Sequence, residues 1–350
     1  MEAPEDQEQF MKAALKLAAR GRGLTSPNPM VGAVVVREGV IVGRGYHLYS
    51  KKDHAEVCAL RDAGTGSLGA DLYVTLEPCN HQGRTPPCTQ EIINSGIRRV
   101  FVAVRDPNPE VRGGGVDALR AAGIETVVGL CEGRARELNE AFFHSIEKGR
   151  PFVTLKLALT LDGKIATRHG ESKWITGSAS RRMVHRLRFE HDAILVGIRT
   201  VLQDDPSLDV RRGRPNQITK ILLDSKLRTP LDARLFQSGD RVLIFHSAEV
   251  PPEKRTALQD KAELHRVVES EHQLSWKGVF KTLARERINS LLVEGGAEVA
   301  ASLVNQQDVD RLLLFYGPRT IGASGLSAIG DLGVDELDDA PRWKVVRTRR

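Results

Sequence analysis

Residues 9–19 read QFMKAALKLAA, with Phe10, Ala14, Leu17 and Ala18 at helical spacing, which predicts an amphipathic first helix. The run GLTSPNPMVGAVVV breaks that period and passes into β-branched residues, a strand at 31–36. Glu38-Gly39 reads as a turn into a second strand at 40–45, and Asp53 is placed to cap a helix over 54–62. A short apolar strand at 72–76, a helix at 89–94 and a strand at 99–104 follow. Helix, strand and helix are then predicted at 117–121, 125–128 and 134–147. This α-β-β-α-β-α-β-α-β order predicts a sheet between layers of helices.

EKGRP at 147–151 is charged, turn-prone and short, and reads as a linker. Beyond it the alternation restarts. Strands are predicted at 152–158, 193–196, 218–224, 242–245, 290–293 and 311–315, with helices at 181–189, 276–285 and 297–304. The expectation is two α/β domains, 1–148 and 149–350, without a fixed-period repeat or a low-complexity tract.

Composition narrows the function. A chain of 350 residues, 41% hydrophobic, is long enough for two ordinary cores. It has no apolar run near the ~20 residues of a membrane helix. MEAPEDQEQF is acidic and lacks a signal core, and no basic, Ser-rich transit segment is present, so the expected location is cytoplasmic. In a reducing compartment four cysteines serve as metal ligands, catalytic groups or buried thiols more readily than as disulfides. A net charge of +6 suits phosphorylated small molecules and is weak support for nucleic acid.

The chemistry concentrates in one loop. EPCNHQGRTPPC places Cys79 and Cys88 in a stretch of proline and polar residues, and HAE opens the helix before it at His54. One imidazole and two thiolates form a three-ligand zinc set, leaving the fourth tetrahedral position to water, as in catalytic sites. Such a site needs a non-ligand carboxylate to carry protons, and Glu56 is placed for that. Cys58, one turn from His54, is the rival ligand, or else a core thiol. His81 lies inside the loop and could compete for metal, whereas Cys131 has no partner motif. GTGSLG at 64–69 matches a dinucleotide pattern, but it follows a helix and precedes a strand, the wrong context for that fingerprint.

H-x-E followed by P-C resembles the zinc-dependent nucleobase deaminases, with the departure that eight residues separate Cys79 from Cys88. That longer loop, with SPNPMVGAVVV, HAE and RDPNP, resembles the bifunctional deaminase/reductase family of riboflavin biosynthesis. The second half strengthens the likeness through KLALTLDGKIA, SKWITG, ILVGIRTVLQDDPSLDVR and LLVEGGAEVAASLV. The last reads as a strand, a Gly-Gly turn and a helix N-terminus able to receive a phosphate.

The resemblance implies a cytidine-deaminase-like three-layer α/β/α domain followed by a dihydrofolate-reductase-like α/β domain. It implies one Zn2+ per chain on His54, Cys79 and Cys88, with Glu56 as proton carrier. Asn28, His47, Arg84, Asp106 and Asn108 would contact the pyrimidine or its ribose phosphate. In the reductase half it implies substrate contacts from Ser172, Arg188, Leu208, Arg211 and Glu294. NADPH would lie against Ala158, Trp174, Thr200, Asp204, Ser225 and the turn Gly296, Ala297, Glu298, Val299, Ala300, Ala301 and Ser302. Lys156 would sit near the reacting sugar carbon.

The expectation is therefore a cytoplasmic homo-oligomer that deaminates a phosphorylated pyrimidine and then reduces its ribosyl unit with NADPH, without nucleic-acid or membrane partners. Two other classes stay open. A nucleic-acid base deaminase would use stacking aromatics, of which the chain has only 5%. A zinc-stabilised binding protein would close the site with a fourth ligand such as Cys58.

Overall fold

The computed structural model describes residues 4–82, 86–109, 114–210, 218–247, 250–267 and 274–349. The chain divides into two compact units, Met1–Arg150 and Pro151–Arg350.

The first unit runs α1 (Pro4–Ala18), β1 (Gly32–Arg37), β2 (Val40–Tyr46), α2 (Ala55–Ala63), β3 (Asp71–Val74), α3 (Cys88–Asn94), β4 (Arg99–Val102), α4 (Gly114–Ala121), β5 (Glu125–Val128), α5 (Glu132–Leu138) and α6 (Glu140–Lys148). Its sheet has the order β2-β1-β3-β4-β5. Pairing is antiparallel from β2 to β3 and parallel from β3 to β5. Successive β1 side chains point to opposite faces. Ala33 and Val35 pack with Ala55, Ala59, Ile92, Val116 and Leu119 of α2, α3 and α4. Val34 and Val36 pack with Met11, Ala14, Ala135 and Phe143 of α1, α5 and α6. Both faces of the sheet are therefore covered by helices.

Three local expectations are corrected. The cap residue of α2 is His54, not Asp53, whose carboxylate instead pairs with Arg61 at 2.8 Å. The helix expected over 134–147 is two helices broken at Asn139. That buried side chain accepts from the Met30 N–H at 2.7 Å and donates to the Met30 carbonyl at 2.9 Å. Glu147 and Lys148 of the expected linker are the last turn of α6.

The second unit runs β6 (Phe152–Thr160), β7 (Lys164–Ala166), α7 (Ser178–Glu190), β8 (Ala193–Gly197), α8 (Ile198–Asp204), β9 (Thr219–Leu223), β10 (Val242–His246), α9 (Pro252–Gln259), β11 (Glu263–Arg266), α10 (Trp276–Arg285), β12 (Ser290–Val293), α11 (Ala297–Asn305), β13 (Arg311–Gly317) and β14 (Leu326–Ser327). Seven strands in the order β11-β10-β9-β8-β12-β6-β13 are all parallel, while β14 pairs with β7 in a small antiparallel ladder. A parallel sheet needs helices on both faces, so its central strands are apolar throughout, as in AILVG and SLLV. One face packs on α10 and α11, the other on α8 and α9.

Candidate active sites

In the first unit, glycines set the position of α2. A Cβ on Gly45 would stand 2.0 Å from the Ala55 carbonyl oxygen, and one on Gly43 would stand 2.2 Å from that of Ala59. Only hydrogen at these positions lets the helix lie directly on β2, with Ala55 and Ala59 fully buried beneath it. The helix start is thereby fixed, and with it His54 in extended backbone and Glu56, 3% exposed.

Two other segments bring the thiols to His54. Cys79 lies in the loop after β3, which ends at Val74 rather than at the expected 76, and Cys88 opens α3. The Cys88 N–H donates to Cys79 Sγ at 3.4 Å, and the Thr89 N–H donates to the Cys79 carbonyl at 3.2 Å. His54 Nδ1 stands 3.1 Å from Cys88 Sγ and 3.5 Å from Cys79 Sγ. Among the described residues this trio is the only group of three or more His, Cys, Asp or Glu with ligand atoms within 4.8 Å of one another. Cys58 is outside it, its Cβ against β2 at Gly45. All four cysteines are free thiols, so the loop pair is not a disulfide.

The donor set fits zinc, and so does the local charge. A hydrogen bond from the Cys88 thiol draws the Cys79 thiol down to about 4, and that same bond, with burial, pushes Cys88 up. His54 is raised to about 8, first by its hydrogen bond to Cys79. A pocket that stabilises an imidazolium in this way attracts cations. Burial lifts the Glu56 carboxyl to about 7, a range suited to both taking and giving a proton near neutrality.

Asn28 and His47 adjoin this trio. His47 Nδ1 donates to the Asp53 carbonyl at 3.2 Å, which leaves Nε2 to accept from the Asn28 amide at 3.1 Å. The His47 and His54 rings meet edge to face at 5.4 Å. Asp106 is buried, raised to about 6 by that burial, and accepts from the Asn108 N–H at 2.8 Å. Arg84 lies outside the described residues. Sequence reasoning missed Glu77. This buried carboxylate accepts from the N–H groups of Asp106 at 3.2 Å and Val116 at 3.0 Å, tying the RDPNP segment and α4 to the cysteine loop. A glutamate between a buried strand and a Pro-Cys junction was the available signal. Gly115 permits the approach, since its Cβ would stand 1.9 Å from the Pro78 carbonyl oxygen.

In the second unit, polar groups gather around the C-terminal ends of the parallel strands, where open α/β sheets hold ligands. Arg188 of α7 grips Glu294, just past β12, through Nε–Oε1 at 2.6 Å and Nη2–Oε2 at 3.1 Å. Lys156 Nζ of β6 lies 3.8 Å from Glu294 Oε2. Burial alone would raise Glu294, but the charges of Arg188 and Lys156 hold it below its ordinary value. Burial lowers Lys156. Ser172 donates to Asp204 at 3.4 Å. Leu208 is buried with φ +55°, a left-handed turn. Arg211 lies outside the described residues.

The remaining positions spread along the same edge. Ala158 is on β6, Thr200 on α8, Ser225 just after β9 and Gly296 at the N-cap of α11. Trp174 is 61% exposed, with the Arg181 guanidinium 4.6 Å over its ring. Gly295 and Gly296 have φ +112° and +85°, and a Cβ on either would come within 3.9 Å of Thr200 Oγ1. That glycine-built concavity at a helix N-terminus fits a dinucleotide phosphate. Within the expected stretch the backbone N–H groups divide in two. Ala300 already donates its N–H to the Gly296 carbonyl and is buried with Ala301, and Ser302 Oγ accepts from Trp276 Nε1 at 2.8 Å. Only the first turn, through Val299, keeps free N–H groups.

Fold and site together define a zinc-dependent deaminase of the cytidine deaminase fold joined to a dihydrofolate-reductase-like, NADPH-dependent reductase. Known proteins agree. Residues 4–104 match the cytidine and deoxycytidylate deaminase zinc-binding region, and residues 151–350 match the RibD C-terminal domain. The riboflavin biosynthesis protein RibD of Aquifex aeolicus is 48% identical over 96% of this chain and 93% of its own. That of Escherichia coli is 40% identical over 98% and 96%. The solved Acinetobacter baumannii RibD superposes with a TM-score of 0.90 at 34% identity, covering 99% of this chain and 96% of that one. A Thermotoga maritima diaminohydroxyphosphoribosylaminopyrimidine deaminase/5-amino-6-(5-phosphoribosylamino)uracil reductase gives 0.86 at 39%, covering 98% and 95%. The chain belongs to the RibD family, the bifunctional deaminase/reductases of riboflavin biosynthesis.

Proposed function

We propose that residues 1–148 remove the 2-amino group of 2,5-diamino-6-(5-phosphoribosylamino)pyrimidin-4-one as ammonia, and that residues 149–350 reduce the ribosyl unit of the product to ribityl. The observation that carries the first half is the trio His54, Cys79 and Cys88 with buried Glu56 beside it. His54, Cys79 and Cys88 would hold one zinc ion, which supplies a Lewis acid that makes water nucleophilic near neutral pH. Glu56 would take a proton from the attacking water and return one to the departing amine. Its burial supports the role by raising its carboxyl to about 7, near neutral pH. His47, oriented by Asn28 and the Asp53 carbonyl, and Asp106, oriented by Glu77 through its own N–H, would bind polar groups of the pyrimidine. Asn108, and Arg84 on the cysteine loop, would reach the ribose phosphate.

In the second half NADPH would supply the hydride, and the turn from Gly296 to Ser302 would line its site, the N–H groups of the first turn of α11 suiting a phosphate. Ala158, Trp174, Thr200, Asp204 and Ser225 would border the rest of the cofactor. Arg188, fixed by Glu294 and the Asp209 carbonyl, would offer the remaining N–H groups of its Nη1 and Nη2 to the substrate phosphate. Ser172, Leu208 and Arg211 would complete that pocket. Lys156 would sit near the reacting sugar carbon as a proton donor or polarising cation. Its lowered proton affinity supports donation.

A cytoplasmic location is supported by four free cysteines. No helix among the described residues is long and apolar enough to cross a membrane. A homo-oligomer is the expected assembly, since edge strand β13 exposes Leu314 and Tyr316; light scattering tests it. The test of the whole reading is a coupled assay of ammonia release and NADPH oxidation on the diaminopyrimidinone phosphate. Ammonia without NADPH oxidation, or the reverse, would overturn the two-step assignment.

A further inference from the structure

Lys220, the second residue of the strand TKILL, is 1% exposed. Its ammonium is met by oxygens from two chain segments. Asp209 Oδ1 lies at 3.1 Å on one side. The Leu235 carbonyl at 3.0 Å, Ser238 Oγ at 2.6 Å and Asp240 Oδ2 at 3.2 Å lie on the other. A methionine of similar length would fill the space, so packing does not require a charge here, although it would leave Asp209 and Asp240 without their cation. The ammonium provides a fixed anchor for the Asp209 carboxylate.

Asp209 is where that anchor meets the reductase site. Its carbonyl accepts from Arg188 Nη1 at 3.1 Å, the nitrogen that does not face Glu294. The segment reaches this point through left-handed residues Asp205 (φ +40°) and Leu208 (φ +55°), so its path is unfavourable for L-residues and needs external restraint. Lys220 holds the Asp209 side chain, the Asp209 backbone holds Arg188, and Arg188 holds Glu294 against Lys156.

We propose that Lys220 is a positioning residue of the reductase. It fixes the orientation of the Arg188 guanidinium through Asp209, whose side chain it grips and whose carbonyl Arg188 meets. The proposal rests on the reading that Arg188 and Glu294 bind the reductase substrate.

The test uses the full chain with 5-amino-6-(5-phosphoribosylamino)uracil and NADPH, with circular dichroism and the thermal melt of the reductase half serving as the folding control. Lys220→Met should raise the reductase KM for this substrate about tenfold, the scale of losing the support of a binding group. It should change kcat much less and leave deamination intact. In an Arg188→Lys background, which no longer has the fork to orient, Lys220→Met should add little, giving strong non-additivity. An unchanged KM in folded Lys220→Met, or the same increase in both backgrounds, would overturn the positioning role. If Arg188→Lys alone leaves KM unchanged, the substrate-site reading fails instead. Should Lys220→Met lose its fold, Asp209→Asn decides. It keeps the shape and backbone carbonyl and loses the charge that Lys220 grips, so it should raise KM likewise, and an unchanged KM would refute the proposal.

Discussion

Serine in place of Cys79 or Cys88 exchanges a polarisable thiolate for a neutral hydroxyl, which zinc binds far more weakly. Either variant is expected to lose its metal and its ammonia release. Cys58→Ser should keep both, since Cys58 stands outside the trio; metal content by emission spectrometry checks this. Glu56→Gln should retain zinc and slow ammonia release by about 10²–10⁴-fold, because an amide preserves shape but cannot carry a proton. Near-normal turnover would assign the proton to another group. Glu294 gives an acid-stability prediction. Its folded-state proton affinity is depressed, so its contribution is complete above the ordinary glutamate value of about 4.3 and is lost as pH falls through the lower folded value. Urea midpoints should therefore drop below about pH 4 in the natural protein. Glu294→Gln should flatten that drop while lowering stability at neutral pH by about 3 kcal/mol, through leaving buried cations unpaired.

Helix α2 and the turn before α11 show how elements carry chemistry. Gly45→Ala places a methyl group into the Ala55 carbonyl, so the helix must shift, at about 1–3 kcal/mol of overpacking. Zinc occupancy should fall with it, since His54 begins that helix. Gly296→Val puts a β-branched residue at φ +85° beside the proposed phosphate position. It should raise the KM for NADPH strongly while zinc and ammonia release persist. Both sites were partly legible in the sequence, because HAE, the Pro-Cys junction and the Gly-Gly turn are local patterns. What escaped depends on distance. Asn139 breaks a helix by bonding Met30 across 109 positions, and Arg188 finds Glu294 across 106. Helix α9, PEKRTALQ, and edge strand β11, ELHR, went unread because elements exposed to solvent need little apolar periodicity.

The two compact units have separate cores and separate chemistry. Chelation should thus abolish ammonia release, while NADPH oxidation on already deaminated substrate continues; circular dichroism would exclude general unfolding. Lys156 and Arg188, two largely buried cations, face a single buried carboxylate, Glu294. A protein carrying such a surplus charge out of water is held away from its lowest free energy until an anion supplies the balance. Inorganic phosphate, with no sugar and no pyrimidine, should then act as a thermal stabiliser. At ten times its dissociation constant the gain would be about 1.4 kcal/mol, a rise of a few degrees in the melting temperature of this half. Arg188→Met should erase that rise, making heat a reporter of the reductase pocket that needs neither cofactor nor turnover.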